Sequence, residues 1–190
     1  MTSFDDAFAE AERLMAQFRA DSAAQRALVQ AAQRLTETLR SGGKALVCGN
    51  GGSMADAMHF AEEWTGRFMA DRRPYPVMAL SDPTHLTCVG NDYGFEQVFA
   101  RMVTAFGKPG DLLFVLSTTG RSRNLVLAAE AAKVAGLGVI GFLGRDGGAV
   151  AALCDVVIIA PGDRSDRIQE IHMCALHALI EVVERELGHA

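Results

Sequence analysis

The sequence predicts an α/β fold, a doubly wound and mostly parallel five-stranded sheet flanked by helices, and three observations carry that prediction. Strand-like and helix-like segments alternate through the chain with short connections, the order that builds a parallel sheet. The run Asp111 to Leu116 is almost continuously apolar, as strands covered on both faces are. Two strands run straight into loops rich in glycine or hydroxyls and then into helices, which is how open α/β sheets present anion sites at their carboxyl edge.

Size and composition agree with this class. A chain of 190 residues fits one domain, spanning 1–190, with a sizeable core. Its 49% hydrophobic and 22% charged content is ordinary for a soluble globular protein. A net charge of −5 argues against a nucleic-acid backbone as the main ligand. The four cysteines, Cys48, Cys88, Cys154 and Cys174, lie in apolar runs without C-x-x-C spacing, so they read as reduced core residues of a cytosolic protein. No basic-then-apolar leader and no apolar run near 18 residues is found, so the expected location is the cytoplasm, without membrane association.

Residues 3–41 read as two amphipathic helices broken near Asp21, with Phe4, Phe8, Leu14, Met15 and Phe18, then Leu28, Ala31, Ala32, Leu35 and Leu39 at helical spacing. This N-terminal pair is expected either to cover the sheet or to pack on another subunit, and the reading leans to an oligomer. Strand one begins at Ala45 and enters Gly49-Asn50-Gly51-Gly52-Ser53. Those glycines permit positive φ and let an anion approach main-chain N–H groups, while the helix start adds its dipole. The third glycine of a dinucleotide fingerprint is missing, which argues against a nicotinamide or flavin. Ser53 is expected at the N-cap, with Asp56 as its capping-box partner. His59 and Glu63 share a face of the same helix, about 9 and 15 Å beyond Ser53.

That helix ends near Gly66, and Arg67 follows, either a phosphate clamp or a surface arginine. Asp71 to Tyr75 reads as a polar loop, Pro76 to Leu80 as a second strand, and Ser81 to Thr84 as the turn into a short helix. Gly90 to Gly94 is read as a further turn, in which Asn91 and Asp92 either meet a polyol or simply form the turn. A helix is expected from Phe95 to Phe106. After the Asp111 strand, Ser117-Thr118-Thr119-Gly120-Arg121-Ser122 forms a second anion loop ahead of a helix from Asn124. Strands follow at Val139 to Leu143 and Asp155 to Ala160, and the last helix runs from about Asp166 to Leu187. On it, Gln169 and His177 lie about 80° apart and can converge, whereas His172 and His177 differ by about 140°. Spacing does not choose between the histidines.

Taken together, Gly49-Asn50-Gly51-Gly52-Ser53, Asp56-Ala57-Met58-His59-Phe60-Ala61-Glu62-Glu63, Thr65-Gly66-Arg67, Val89 to Phe95, the hydroxyl loop and Asp166-Arg167-Ile168-Gln169-Glu170-Ile171-His172 closely resemble the bacterial phosphoheptose isomerases, a family of sugar isomerase (SIS) domain proteins. The motifs occur in order along the whole chain. The resemblance implies the SIS fold and a homotetramer. It implies conversion of sedoheptulose 7-phosphate to D-glycero-D-manno-heptose 7-phosphate, the first step towards nucleotide-activated heptose for cell-surface polysaccharide such as lipopolysaccharide. It also implies a Zn2+ held by His59, Glu63, Gln169 and His177, with Glu63 and His177 as the acid/base pair. Asn50, Gly51, Gly52, Ser53, Glu63, Arg67, Asn91, Asp92, Ser117, Thr118, Thr119, Ser122 and Gln169 are implied as the groups that hold the sugar phosphate.

Two features depart from the family pattern. Met54-Ala55 stand where relatives often carry His and a small or polar residue, and Thr119 and Arg121 stand where Ser and Asn are frequent; Arg121 adds charge beside the phosphate. Two other readings compete with the isomerase. One is a non-catalytic SIS protein that binds a replication initiator, which the presence of both Glu63 and His177 disfavours. The other is an isomerase for a different sugar phosphate, for which no selective feature is seen.

Overall fold

The computed structural model describes residues 3–189; residues 1, 2 and 190 of the expected 1–190 span lie outside it. Helix α1 (Phe4–Ala20) opens on a reciprocal capping box between Ser3 and Asp6, and α2 (Ser22–Arg40) is capped by the Asp21 side chain. Asp21 breaks the two helices because its extended backbone and carboxylate satisfy the first N–H groups of α2. There follow β1 (Ala45–Gly49), α3 (Gly52–Thr65), β2 (Val77–Ala79), α4 (Pro83–Asp92), a 3-10 turn (Phe95–Gln97) and α5 (Val98–Phe106). The chain continues through β3 (Leu112–Ser117), α6 (Arg123–Val134), β4 (Gly138–Gly144), the short α7 (Gly148–Ala151), β5 (Val156–Ala160) and α8 (Ser165–Glu186).

All five strands are parallel, in the order β2-β1-β3-β4-β5. The chain order therefore reverses between β1 and β3, the switch point where open α/β sheets leave a crevice. Alternate residues of each strand feed two separate cores. Val47, Phe114, Phe142 and Ile158 pack with α1, α2, α3 and α8 on one face. Leu46, Leu113, Val115 and Val139 pack with α4, α5, α6 and α7 on the other. The first core is dominated by rings: Phe114 packs against Phe60 at 5.3 Å and Phe142 at 6.2 Å.

Three expectations are corrected here. Gly90, Asn91 and Asp92 are the last turn of α4 rather than a free turn, because Asp82 caps that helix and Pro83 starts it early enough to carry it through to Asp92. Cys88 and Cys174 are exposed; only Cys48 of the four is fully buried. Both exposed thiols lie on the outer faces of helices, which an apolar neighbourhood in sequence does not reveal. The segment Asp71–Tyr75 is not merely polar loop, since the Arg72 side chain is wholly buried.

Candidate functional site

The two anion loops sit side by side because β1 and β3 are parallel neighbours, Gly49 opposite Leu116. In the first loop, Gly51 takes φ +56° and ψ −121° as the N-cap of α3, a conformation that excludes a side chain. Ser53 is accordingly not the N-cap. It falls inside the first turn, 3% exposed, and its hydroxyl accepts a hydrogen bond from Gln169 Nε2 at 3.4 Å. Gln169 lies so close over Gly52 that a Cβ there would stand 2.6 Å from its amide nitrogen. Asp56 is likewise not a capping partner: one carboxylate oxygen is buried without a hydrogen bond. Burial pushes its pKa up to about 6, against the opposing pull of His59.

Side chains lock the loops to each other. Asn50 and Asn124 exchange two amide hydrogen bonds, at 3.0 and 2.8 Å. Asn124, at the start of α6 and 3% exposed, escaped the sequence reading because its partner is 74 residues away. The Asn50 carboxamide therefore braces the switch point. In the second loop the Ser117 hydroxyl accepts from Gly120 N–H at 2.9 Å, and Thr118 and Ser165 hydroxyls pair at 3.1 Å. Ser122 is the N-cap of α6 without a side-chain cap bond, and Thr119 is half-buried beside it. Arg121 is exposed and donates to Asp146 at 2.5 Å.

One to two turns down α3, His59 Nε2 donates to Glu63 Oε1 at 3.1 Å. α8 brings His177 against them: its ring meets the His59 ring edge-on at 5.0 Å and stacks on Phe68 at 5.7 Å. Ligand atoms of His59, Glu63 and His177 all lie within 4.8 Å of one another. His177 Nε2 is buried without a hydrogen-bond partner, a state that is costly unless something else takes up its lone pair or proton. Two imidazoles and a carboxylate, with an orphaned ring nitrogen among them, form a group able to hold a metal ion. The fourth residue implied as a ligand, Gln169, donates from its amide nitrogen to the Ser53 hydroxyl at 3.4 Å.

The two histidines of α8 sit in different surroundings. His172 is 1% exposed, its ring packs on Phe142, and its Nε2 donates to the Leu143 carbonyl at 3.0 Å. Desolvation lowers its pKa to about 4, so it is a neutral core residue. Arg67 is exposed just past the end of α3, and the Asn91 amide bonds the Asp92 carboxylate at 2.7 Å. Among the described residues neither Arg67, Asn91 nor Asp92 is hydrogen-bonded to the His59–Glu63–His177 group.

A parallel sheet with a glycine loop and a hydroxyl loop braced across its switch point, and the His59–Glu63–His177 group one to two turns along α3, is the frame of a SIS-type protein. The SIS domain family model matches residues 8–144. A phosphoheptose isomerase of Fusobacterium nucleatum subsp. nucleatum is 53% identical over 154 residues, 81% of this chain and 79% of that protein. Another, from Tolumonas auensis, is 49% identical over 179 residues, 94% of this chain and 93% of the relative. The solved phosphoheptose isomerase of Francisella tularensis superposes with a TM-score of 0.92 at 36% identity, covering 97% of this chain and 100% of that one. That of Neisseria gonorrhoeae gives 0.88 at 40% identity, covering 94% and 95%. The chain belongs to the SIS domain family and, within it, to the phosphoheptose isomerases.

Proposed function

We propose that the protein interconverts sedoheptulose 7-phosphate and D-glycero-D-manno-heptose 7-phosphate, supplying heptose for cell-surface polysaccharide. The observation that carries this reading is the convergence of Glu63 and His177 from two different helices in a chain about half identical to named phosphoheptose isomerases. The phosphate is held by the paired loops, from Gly51, Gly52 and Ser53 on one side and Thr118, Thr119 and Ser122 on the other, with Arg67, Asn91, Asp92 and Gln169 completing the contacts to the sugar.

The chemistry is an internal redox exchange. Glu63 removes a proton from C1 of the ketose while His177 supplies one to the C2 oxygen, which gives the 1,2-enediol. Return of a proton to C2 and loss of the proton on the C1 hydroxyl leave the aldehyde at C1, so C1 is oxidised and C2 reduced with no external carrier. His59, Glu63 and His177 would hold zinc, and the orphaned His177 nitrogen supports the fit; when bound, the ion supplies Lewis acidity and holds the group in register. Metal analysis should find zinc in the purified protein and lose it in His59→Gln.

The enzyme is read as a cytoplasmic homotetramer. Phe4 and Phe8, 87% and 72% exposed on α1, support an interface there, because large apolar side chains clustered on one helix face seek a partner. Sedimentation as a monomer at micromolar concentration would contradict it. The function itself is tested by incubating zinc-supplied protein with sedoheptulose 7-phosphate and following the aldose by NMR. Wild type should turn over, and Glu63→Gln and His177→Gln should each lose roughly 10²–10⁴-fold. A folded, metal-loaded wild type without turnover would overturn the reading in favour of a binding module.

A further inference from the structure

Arg72 sits in a segment that sequence marks as polar loop, yet its side chain is wholly buried and paired with Glu184, itself 6% exposed. Its guanidinium Nη2 donates to the main-chain carbonyl of Glu63 at 2.7 Å, and Nη1 to that of Trp64 at 2.9 Å. Nε donates to the Glu184 carboxylate on α8. The group lies 5.3 Å from the Trp64 ring centre and 5.5 Å from that of Tyr75. One planar fork thus bonds two of the last carbonyls at the negative end of α3, that of Trp64 also accepting from Tyr75 N–H at 3.0 Å, and fastens them to α8. Glu184 follows His177 by seven residues, about two turns along nearly the same face.

We propose that Arg72 is a positioning residue: it sets the spacing of α3 against α8, and hence the approach of Glu63 to His177. This rests on the reading of that pair as the acid and base. A buried ion pair is weakly stabilising against an apolar pair of similar size, so stability alone does not account for a three-way fork on the backbone of Glu63 itself. The phosphate loops lie at the opposite end of α3, so Arg72 acts mainly on the chemical step rather than on capture of the phosphate.

The test uses two full-length variants, Arg72→Lys, which keeps the charge pair but not the fork, and the paired Arg72→Met/Glu184→Met. Each is checked for folding by near-UV circular dichroism, then measured for kcat and KM on sedoheptulose 7-phosphate and for the ring 15N resonances of His177. The expected result is a kcat lower by roughly tenfold to a hundredfold, a KM within about twofold of wild type, and displaced His177 resonances without substrate. A folded Met/Met variant with wild-type kcat and unmoved resonances would overturn the proposal. If Met/Met does not fold, Arg72→Lys decides on the same readouts. Should wild type itself not turn over this substrate, the functional reading fails, and the resonances alone judge the positioning role.

Discussion

At the scale of single residues, the same side-chain type has opposite uses on one helix. His172 faces the sheet and is held neutral by burial; His177, five residues later, faces α3 beside His59 and Glu63, and each ring keeps one unpartnered nitrogen. The two differ in what they do to stability. With a folded pKa near 4 against an ordinary value of 6.5, His172 contributes fully above pH 6.5, and that contribution is lost as pH falls through 4. The unfolded chain binds the proton more readily in that window, which amounts to about 3 kcal/mol. Asp56, raised from 3.8 to about 6, has the reverse slope, its stabilising contribution being lost as pH rises through that range. Denaturant titrations of wild type and His172→Gln between pH 4 and 8 separate the two, since Asp56 is common to both. The difference in stability between them should shrink as pH falls; a constant difference would contradict a neutral buried imidazole.

At the scale of elements, the loops after β3 and β4 are interlocked through glycine. Gly120 has φ +61°, and a Cβ on it would stand 1.8 Å from the Gly147 carbonyl oxygen; the Gly120 carbonyl in turn accepts from Val150 N–H at 3.0 Å. Gly120→Ala should therefore cost about 2–5 kcal/mol, left-handed strain plus overpacking. Gly110→Ala, at φ +90° with nothing within 4 Å, should cost only the strain, about 1–2 kcal/mol. Equal losses in thermal melts would show that contact between the loops is not what Gly120 protects. The strands, α2, α5 and α6 were legible because apolar runs and Gly or Pro stops are local signals. What was not legible is long-range. Short α7 has no apolar period of its own, and Asn124 and Arg72 take their roles from partners 74 and 112 residues away. Ser53 misled for a related reason: Gly51 can start the helix in a conformation that no serine rule anticipates.

At the scale of the whole molecule, strand order decides where chemistry is possible. The reversal between β1 and β3 puts both loops on one edge, and α3 and α8, on the same face of the sheet, bring His59, Glu63 and His177 together beneath them. Spacing made His59 and Glu63 neighbours and let Gln169 and His177 converge, but only resemblance to a family chose His177 over His172 and joined it to His59 and Glu63, because no local pattern ties α8 to α3. Glu63 and His177 are proposed to move protons through an enediol. The most direct test is to run the isomerisation of sedoheptulose 7-phosphate in D2O and read C2 of the aldose product by NMR. The expected result is deuterium at C2 of the wild-type product, with labelled aldose formed roughly 10²–10⁴-fold more slowly by Glu63→Gln. Aldose with only protium at C2, formed by Glu63→Gln as fast as by wild type, would contradict it.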